Sequence, residues 1–220
     1  MGQIESIELK DVSFSYDPAE KGRILLKKIN IKFIKGKIYS LVGNNGTGKS
    51  TIVSILLGLY NDLCQGEVLY NGINIKLLDM YMIRKKLVAV TEQEPVLLNG
   101  SVAENIFMNE VYDKEQLNFY DKICRLFNVE EIVAGDKEKN AESIQNTNFS
   151  GGEKQKISII RTILKDAEVL IFDEPTSALD QISIENFIQI IRSVKNNKII
   201  IIITHDHRLI EISDISYDFN

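Results

Sequence analysis

The segment LVGNNGTGKST, residues 41–51, constrains this chain more than any other. It sets three glycines, two asparagines and a lysine between a strand-like run, IYSLV, and a helix-favouring run, TIVSILLGLY. Glycine inside an element costs about 0.5–1 kcal/mol relative to alanine, so so glycine-rich a turn needs compensation. Gly43, Asn44, Asn45, Gly46, Thr47, Gly48, Lys49 and Ser50, followed by Thr51, fit the pattern G-x-x-x-x-G-K-[ST] throughout. Such a loop turns successive backbone N–H groups inward as an anion nest, and the next helix aims its positive dipole end at the same point. Phosphate then supplies what the open donors need. Lys49 is placed for the β/γ-phosphates, Ser50 for a Mg²⁺ ion and Thr51 for the α-phosphate. Strand, loop and helix together predict binding of a nucleoside triphosphate.

The rest of the chain suits an α/β frame around that loop. LVAV (87–90), VLIF (169–172) and IIIII (199–203) are short continuous apolar runs. Strands covered on both faces read this way, which predicts a mostly parallel sheet flanked by helices. IESIELKDVSFSY (4–16) partly alternates, and ILLKKINIKFIKGKIYSLV (24–42) is strand-like with a break at Gly36. Asn71-Gly72, between EVLY and INI, signals a hairpin, and Asn99-Gly100 marks another turn. Residues 101–148 are mixed, charged and helix-favouring, which predicts a helical insertion with 133–148 as a polar connecting loop.

Composition narrows the class further. The chain has 220 residues, 44% hydrophobic and 26% charged, enough for one or two compact domains without a staple. Cys64 and Cys124 lack metal-ligand spacing and read as free thiols of a reducing compartment. A net charge of -5 argues against a general nucleic-acid binder, and no nucleic acid is expected. No apolar run approaches the roughly 20 residues needed to cross a bilayer.

A second motif chooses among the chemistries open to a triphosphate loop. VLIFDEPTSALD (169–180) is an apolar strand ending in two adjacent carboxylates. Asp173 at the strand end is placed to hold Mg²⁺ opposite Ser50. Glu174 follows, placed to orient or deprotonate an attacking water, a role worth roughly 10²–10⁴ in rate. A third piece, NFSGGEKQKISIIRTILK (148–165), has Ser150 and Glu153 at capping-box spacing. Capping leaves the pair Gly151-Gly152 unexplained, and two glycines open a helix start to close approach by an anion.

These three motifs, in this order, resemble the nucleotide-binding domain of an ATP-binding cassette (ABC) transporter over nearly the whole chain. The resemblance implies a P-loop NTPase core (residues 1–92 and 155–220) with an N-terminal antiparallel β subdomain. Residues 93–154 would form an inserted α-helical subdomain with the signature motif of FSGGEKQ. It implies ATP and Mg²⁺ as ligands, a second nucleotide-binding domain as head-to-tail partner, and a transmembrane domain at the cytoplasmic face of the membrane. Ser150, Gly151, Gly152 and Glu153 of one copy, with Asp180 of SALD, would then face the triphosphate held by the Lys49 loop of the other. Tyr16 falls where an aromatic ring stacks on adenine. Gln93 falls where a glutamine contacts Mg²⁺ and the attacking water, and His205 where a histidine contacts the γ-phosphate. His207 has no such counterpart.

Departures from the pattern carry information. Phe149 and Glu153 replace the leucine and glutamine of the usual LSGGQ. A carboxylate at Glu153 would weaken closure of a dimer modestly unless capping turns it away. The chain stops fifteen residues after His205, so the usual final hairpin is expected to be absent. QEPVLLNGSVAENI is similar to the exporter branch, where a membrane domain precedes the cassette. The expectation is therefore a domain separated from a longer chain, beginning near Gln3. Two rivals remain at this stage. A soluble ABC ATPase uncoupled from transport would share every motif, though with a coiled coil or second cassette; a small-molecule P-loop kinase would not need FSGGE.

Overall fold

The computed structural model describes residues 2–16, 25–60, 62–108, 112–130 and 149–220. The expected polar loop at 133–148 lies outside them. The chain divides into two compact units: Met1–Val88 with Ala167–Ile171 and Val194–Asn220, and Ala89–Asp166 with Phe172–Ser193.

The first unit opens with the expected antiparallel sheet. β1 (Ser6–Phe14) lies between β2 (Leu26–Ile34) and β4 (Cys64–Tyr70), with the short β5 (Ile73–Asn74) beyond β4. Ser6 faces Ile34 and Ile7 faces Tyr70, both pairings antiparallel. The alternation of β1 is only partial for a structural reason. Its buried residues run Ile7, Leu9, then Val12, Phe14, so the phase slips by one between Leu9 and Val12. Asp11, at φ 49°, absorbs the extra residue as a bulge, and its N–H donates to Asn30 Oδ1 at 3.0 Å. The hairpin at Asn71-Gly72 joins β4 to β5 with Tyr70 opposite Ile73. Asn71 Oδ1 accepts from the N–H groups of Glu5 and Ser6 at 2.8 and 3.0 Å, so the turn also ties down the start of β1.

The same unit carries the parallel sheet. β3 (Lys37–Val42) pairs in parallel with β8 (Ile199–Ile203) on one side and β9 (Ile215–Asp218) on the other. β7 (Val169–Asp173) lies beyond β8. All five isoleucines of β8 are buried. Each fully buried isoleucine contributes about 1.5–3 kcal/mol of transfer free energy, which is why this strand reads as an unbroken apolar run. At the edge, β9 alternates between half-buried and exposed residues instead. Lys35 Nζ reaches Glu168 at 2.8 Å and Glu5 at 3.3 Å, linking the strand ends of this unit. Helix α1 (Lys49–Leu56) follows β3, and α2 (Met80–Leu87), started by Asp79 accepting from Met82 N–H, precedes β6 (Val88–Thr91).

The second unit is predominantly helical: α3 (Val102–Phe107), α4 (Lys114–Leu126), α5 (Gly151–Leu164) and most of α6 (Gln181–Val194). Ser101/Glu104, Asp113/Gln116 and Ser150/Glu153 form capping boxes at the starts of α3, α4 and α5. Buried Asn105 holds the Asn99-Gly100 segment, accepting from Leu98 N–H and donating to Leu98 O and Ser101 O. Apolar burial of Ile157, Ile160, Ile163, Ile184 and Phe187 supplies the core of this unit, with Phe172 edge-on to Phe187 at 5.1 Å. Helix α7 (His207–Glu211), in the first unit, ends the helices. No helix among the described residues is long and apolar enough to cross a membrane. Cys64 and Cys124 are both free; burial pushes the Cys124 thiol up to about 11.

Candidate functional site

In the first unit, Gly43 to Gly48 leave the carboxyl end of β3, and α1 starts at Lys49. Gly48 occupies the helix N-cap with φ 99°, and α1 has no side-chain cap and no acidic residue in its first turn. By contrast, α3, α4 and α5 all use capping boxes with acceptor side chains. The first N–H groups of an α-helix have no intrahelical acceptor, and at α1 no N-cap side chain supplies one. Gly48 at φ 99° holds a left-handed backbone that L side chains rarely adopt, and a Cβ there would also press on Leu26 Cδ2 at 2.7 Å. Lys49 is buried, its ammonium donating to the carbonyls of Gly43 and Asn44. A cation folded over its own loop is placed to turn toward phosphate. Nest, helix end and lysine thus fit a triphosphate.

The parallel register brings His205 to the same sheet edge. Leu41 of β3 pairs with Ile203 of β8, so the glycine loop and the Thr204-His205 turn leave adjacent strand ends. Thr204 is fully buried, and its Oγ1 accepts from Asp206 N–H at 3.0 Å, which leaves His205 exposed at the tip. In open α/β sheets ligands bind outside the carboxyl ends of the strands. Tyr16 joins this edge through its hydroxyl, 2.8 Å from Thr51 Oγ1, and the residue is 59% exposed. The sequence did not reveal a further support at the end of β9. Asn220 Oδ1 accepts from Asn44 N–H at 2.9 Å, and a Cβ at Gly43 would meet Phe219 Cβ at 3.1 Å.

The second unit gathers the signature residues and the SALD loop. Ser150 Oγ accepts from Glu153 N–H at 3.3 Å, and Glu153 Oε2 accepts from both Ser150 N–H and Ser150 Oγ at 2.7 Å. The Glu153 carboxylate is thus turned back onto its own cap. The glycine pair divides its work. Gly151 is exposed, and a Cβ there would meet Ala178 Cβ only at 4.0 Å, whereas a Cβ on Gly152 would lie 2.8 Å from Ala178 O. Close packing of the SALD loop therefore accounts for Gly152, beside the anion approach read from the sequence. One turn further, Lys156 Nζ pairs with Asp180 Oδ2 at 3.0 Å. Asp180 also caps α6, accepting from Ser183 N–H and Oγ at 2.8 Å. Ser183 N–H first, and the Lys156 ammonium next, hold the Asp180 carboxyl well below the usual carboxylate range. The i, i+4 spacing of Gly152 and Lys156 puts both on one helix face, but nothing in it names Asp180 as the partner.

Asp173 ends β7, and Glu174 follows it with φ 46°. A left-handed backbone costs a non-glycine residue roughly 1–2 kcal/mol, so the chain turns at a cost in stability where the strand ends. Gln93 lies exposed two residues past the end of β6. No group of three or more His, Cys, Asp or Glu able to hold a metal occurs among the described residues. A hydroxyl (Ser50), one carboxylate (Asp173) and an amide oxygen (Gln93) are hard donors, the type that suits Mg²⁺ shared with phosphate and water.

A parallel sheet with a lysine-bearing glycine loop at its carboxyl edge defines a P-loop nucleotide-binding protein. The comparisons specify the family. The ABC transporter family model matches residues 26–177, and the chain belongs to that family. It is 32% identical over 212 residues to human ATP-binding cassette sub-family B member 5, covering 96% of this chain and 17% of that protein. A putative export ATP-binding/permease protein of Rickettsia conorii is 34% identical over 215 residues, covering 95% and 36%. The structure of a bacterial Atm1-family ABC exporter with ATP bound matches with a TM-score of 0.84 at 27% identity, covering 98% of this chain and 38% of that one. The chain thus corresponds to the nucleotide-binding domain of exporter-type relatives and spans well under half the length of each.

Proposed function

We propose that this domain binds and hydrolyses Mg-ATP and drives export through a transmembrane partner at the cytoplasmic face of the membrane. The observation that carries the reading is the uncapped, lysine-bearing helix start beside His205 and Tyr16 at one sheet edge. In this reading residues 93–154 form the helical subdomain, 1–92 and 155–220 the core, and α5 runs through the join. Tyr16 stacks on adenine, while Gly43 to Gly48 and Thr51 cradle the phosphates. Lys49 neutralises charge on the β/γ-phosphates. Ser50, Asp173 and Gln93 would hold Mg²⁺ with the nucleotide, and the ion would supply further charge neutralisation at the transferring phosphoryl. Glu174 accepts the proton of the attacking water, and His205 holds the γ-phosphate side of that water in line. Ser150, Gly151, Gly152, Glu153 and Asp180 of a second copy close over the triphosphate, and hydrolysis releases that closure to move the membrane partner.

The test is Glu174→Gln. Loss of a catalytic base predicts ATP hydrolysis lower by about 100-fold or more with nucleotide binding retained. Turnover at the wild-type rate would remove Glu174 from the mechanism. A monomer that phosphorylates a small acceptor would replace the reading with a kinase.

A further inference from the structure

We propose that the Tyr16 hydroxyl is a positioning group for phosphate binding, acting through Thr51, so that the base platform and the phosphate grip form one unit. This rests on the nucleotide-binding reading above. Thr51 is buried in the first turn of α1, and its Oγ1 lies 2.8 Å from Tyr16 Oη across 35 residues of sequence. The ring is fixed from two further sides. Phe14 meets it edge-on at 4.9 Å and Tyr60, past the end of α1, at 5.8 Å. Phe14 and Tyr60 also touch each other, at 5.0 Å between centroids. Three contacts therefore hold the aromatic side chain of a residue that remains 59% exposed.

The direction of the hydroxyl bond follows from donor inventory. Each hydroxyl has one proton, and a phenol O–H is a stronger donor than an aliphatic hydroxyl. With Tyr16 donating, Thr51 accepts and keeps its own O–H for an anion at the helix start. An accepted hydrogen bond polarises the O–H and strengthens it as a donor. A phosphate oxygen can only accept, so bound phosphate selects the order Tyr16 to Thr51 to phosphate. The reverse order would use up the Thr51 proton. A base platform alone does not require the hydroxyl; this relay does.

Binding of Mg-tripolyphosphate, which has no base, separates the two roles. Wild type, Tyr16→Phe and Tyr16→Ala are compared by calorimetry, with Tyr16→Phe repeated in Thr51→Ser and Thr51→Val backgrounds. One hydrogen bond of ordinary strength predicts that Tyr16→Phe weakens tripolyphosphate and ATP alike, by about three- to tenfold. The loss persists with serine at 51, which restores the hydroxyl, and vanishes with valine. Wild-type affinity of Tyr16→Phe for tripolyphosphate, or equal losses in the serine and valine backgrounds, would overturn the proposal. Wild-type protein that binds neither ligand would overturn the nucleotide reading and this proposal with it. Binding of both ligands with no Tyr16→Phe effect overturns this proposal alone.

Discussion

Gly151 and Gly152 stand side by side at the start of α5, yet alanine at the two positions has opposite consequences. At Gly151 a new methyl group makes ordinary contact with Ala178 Cβ at 4.0 Å. At Gly152 it would sit 2.8 Å from the Ala178 carbonyl oxygen, a backbone atom that cannot swing aside. The loop or the helix start must then move by several tenths of an ångström. Overpacking of that kind costs about 1–3 kcal/mol. The helix-propensity gain of Gly→Ala, up to about 1 kcal/mol, is similar for both and largely cancels in their difference. Gly152→Ala is therefore expected to be about 1–3 kcal/mol less stable than Gly151→Ala. For a chain of this size each kcal/mol corresponds to roughly 2–4 °C in Tm. Urea denaturation and calorimetry of the two variants give the difference, and hydrogen exchange over residues 174–180 shows where the strain goes. Equal stabilities, or a more stable Gly152→Ala, would refute the packing argument.

Two further outcomes follow from the same unit. The folded-state pKa of Asp180 is depressed by Ser183 and Lys156, so its stabilising contribution is full above the ordinary carboxylate pKa of about 3.9 and is lost as pH falls through the folded value. The stability gap between wild type and Asp180→Asn should be level above about pH 5 and shrink in more acidic urea titrations; a gap that grows with acid contradicts it. Glu153→Gln replaces the charged acceptor of the Ser150 hydroxyl with a neutral one. Bonds to charged groups exceed neutral ones by about 1 kcal/mol, so freeing that hydroxyl should tighten ATP-dependent association about fivefold in sedimentation equilibrium; weaker association would contradict it.

The parts legible in the sequence are those fixed by local physics. The glycine loop was readable because backbone donors, a helix start and a lysine must occur at set spacing. The Ser150 cap and the Asn71-Gly72 turn were readable because each closes its bonds within a few residues or within one hairpin. The bare apolar runs disclosed the parallel sheet, since both faces of β8 are covered. Helix α2 was missed because only Met80 and Ile83 are buried, which leaves almost no periodicity; Asp79 at its N-cap was the available cue. β9 was missed because an edge strand of four half-exposed residues resembles a loop. The support of Asn44 by Asn220, the pairing of Lys156 with Asp180 and the bond between Tyr16 and Thr51 span 176, 24 and 35 positions respectively. No local pattern encodes such contacts; they exist only once the fold has formed.

The central claim, a triphosphate gripped by the Lys49 loop of one copy and the Ser150 tip of another, has a direct test in mixed variants. Glu174→Gln carrying Lys49→Ala cannot hold nucleotide, and Glu174→Gln carrying Ser150→Arg cannot close over it. Sedimentation velocity with Mg-ATP should show each variant monomeric alone and a dimer on mixing, because the mixture restores one complete site from two chains. A mixture that stays monomeric while Glu174→Gln itself dimerises, or a Ser150→Arg variant that dimerises unaided, would contradict the account.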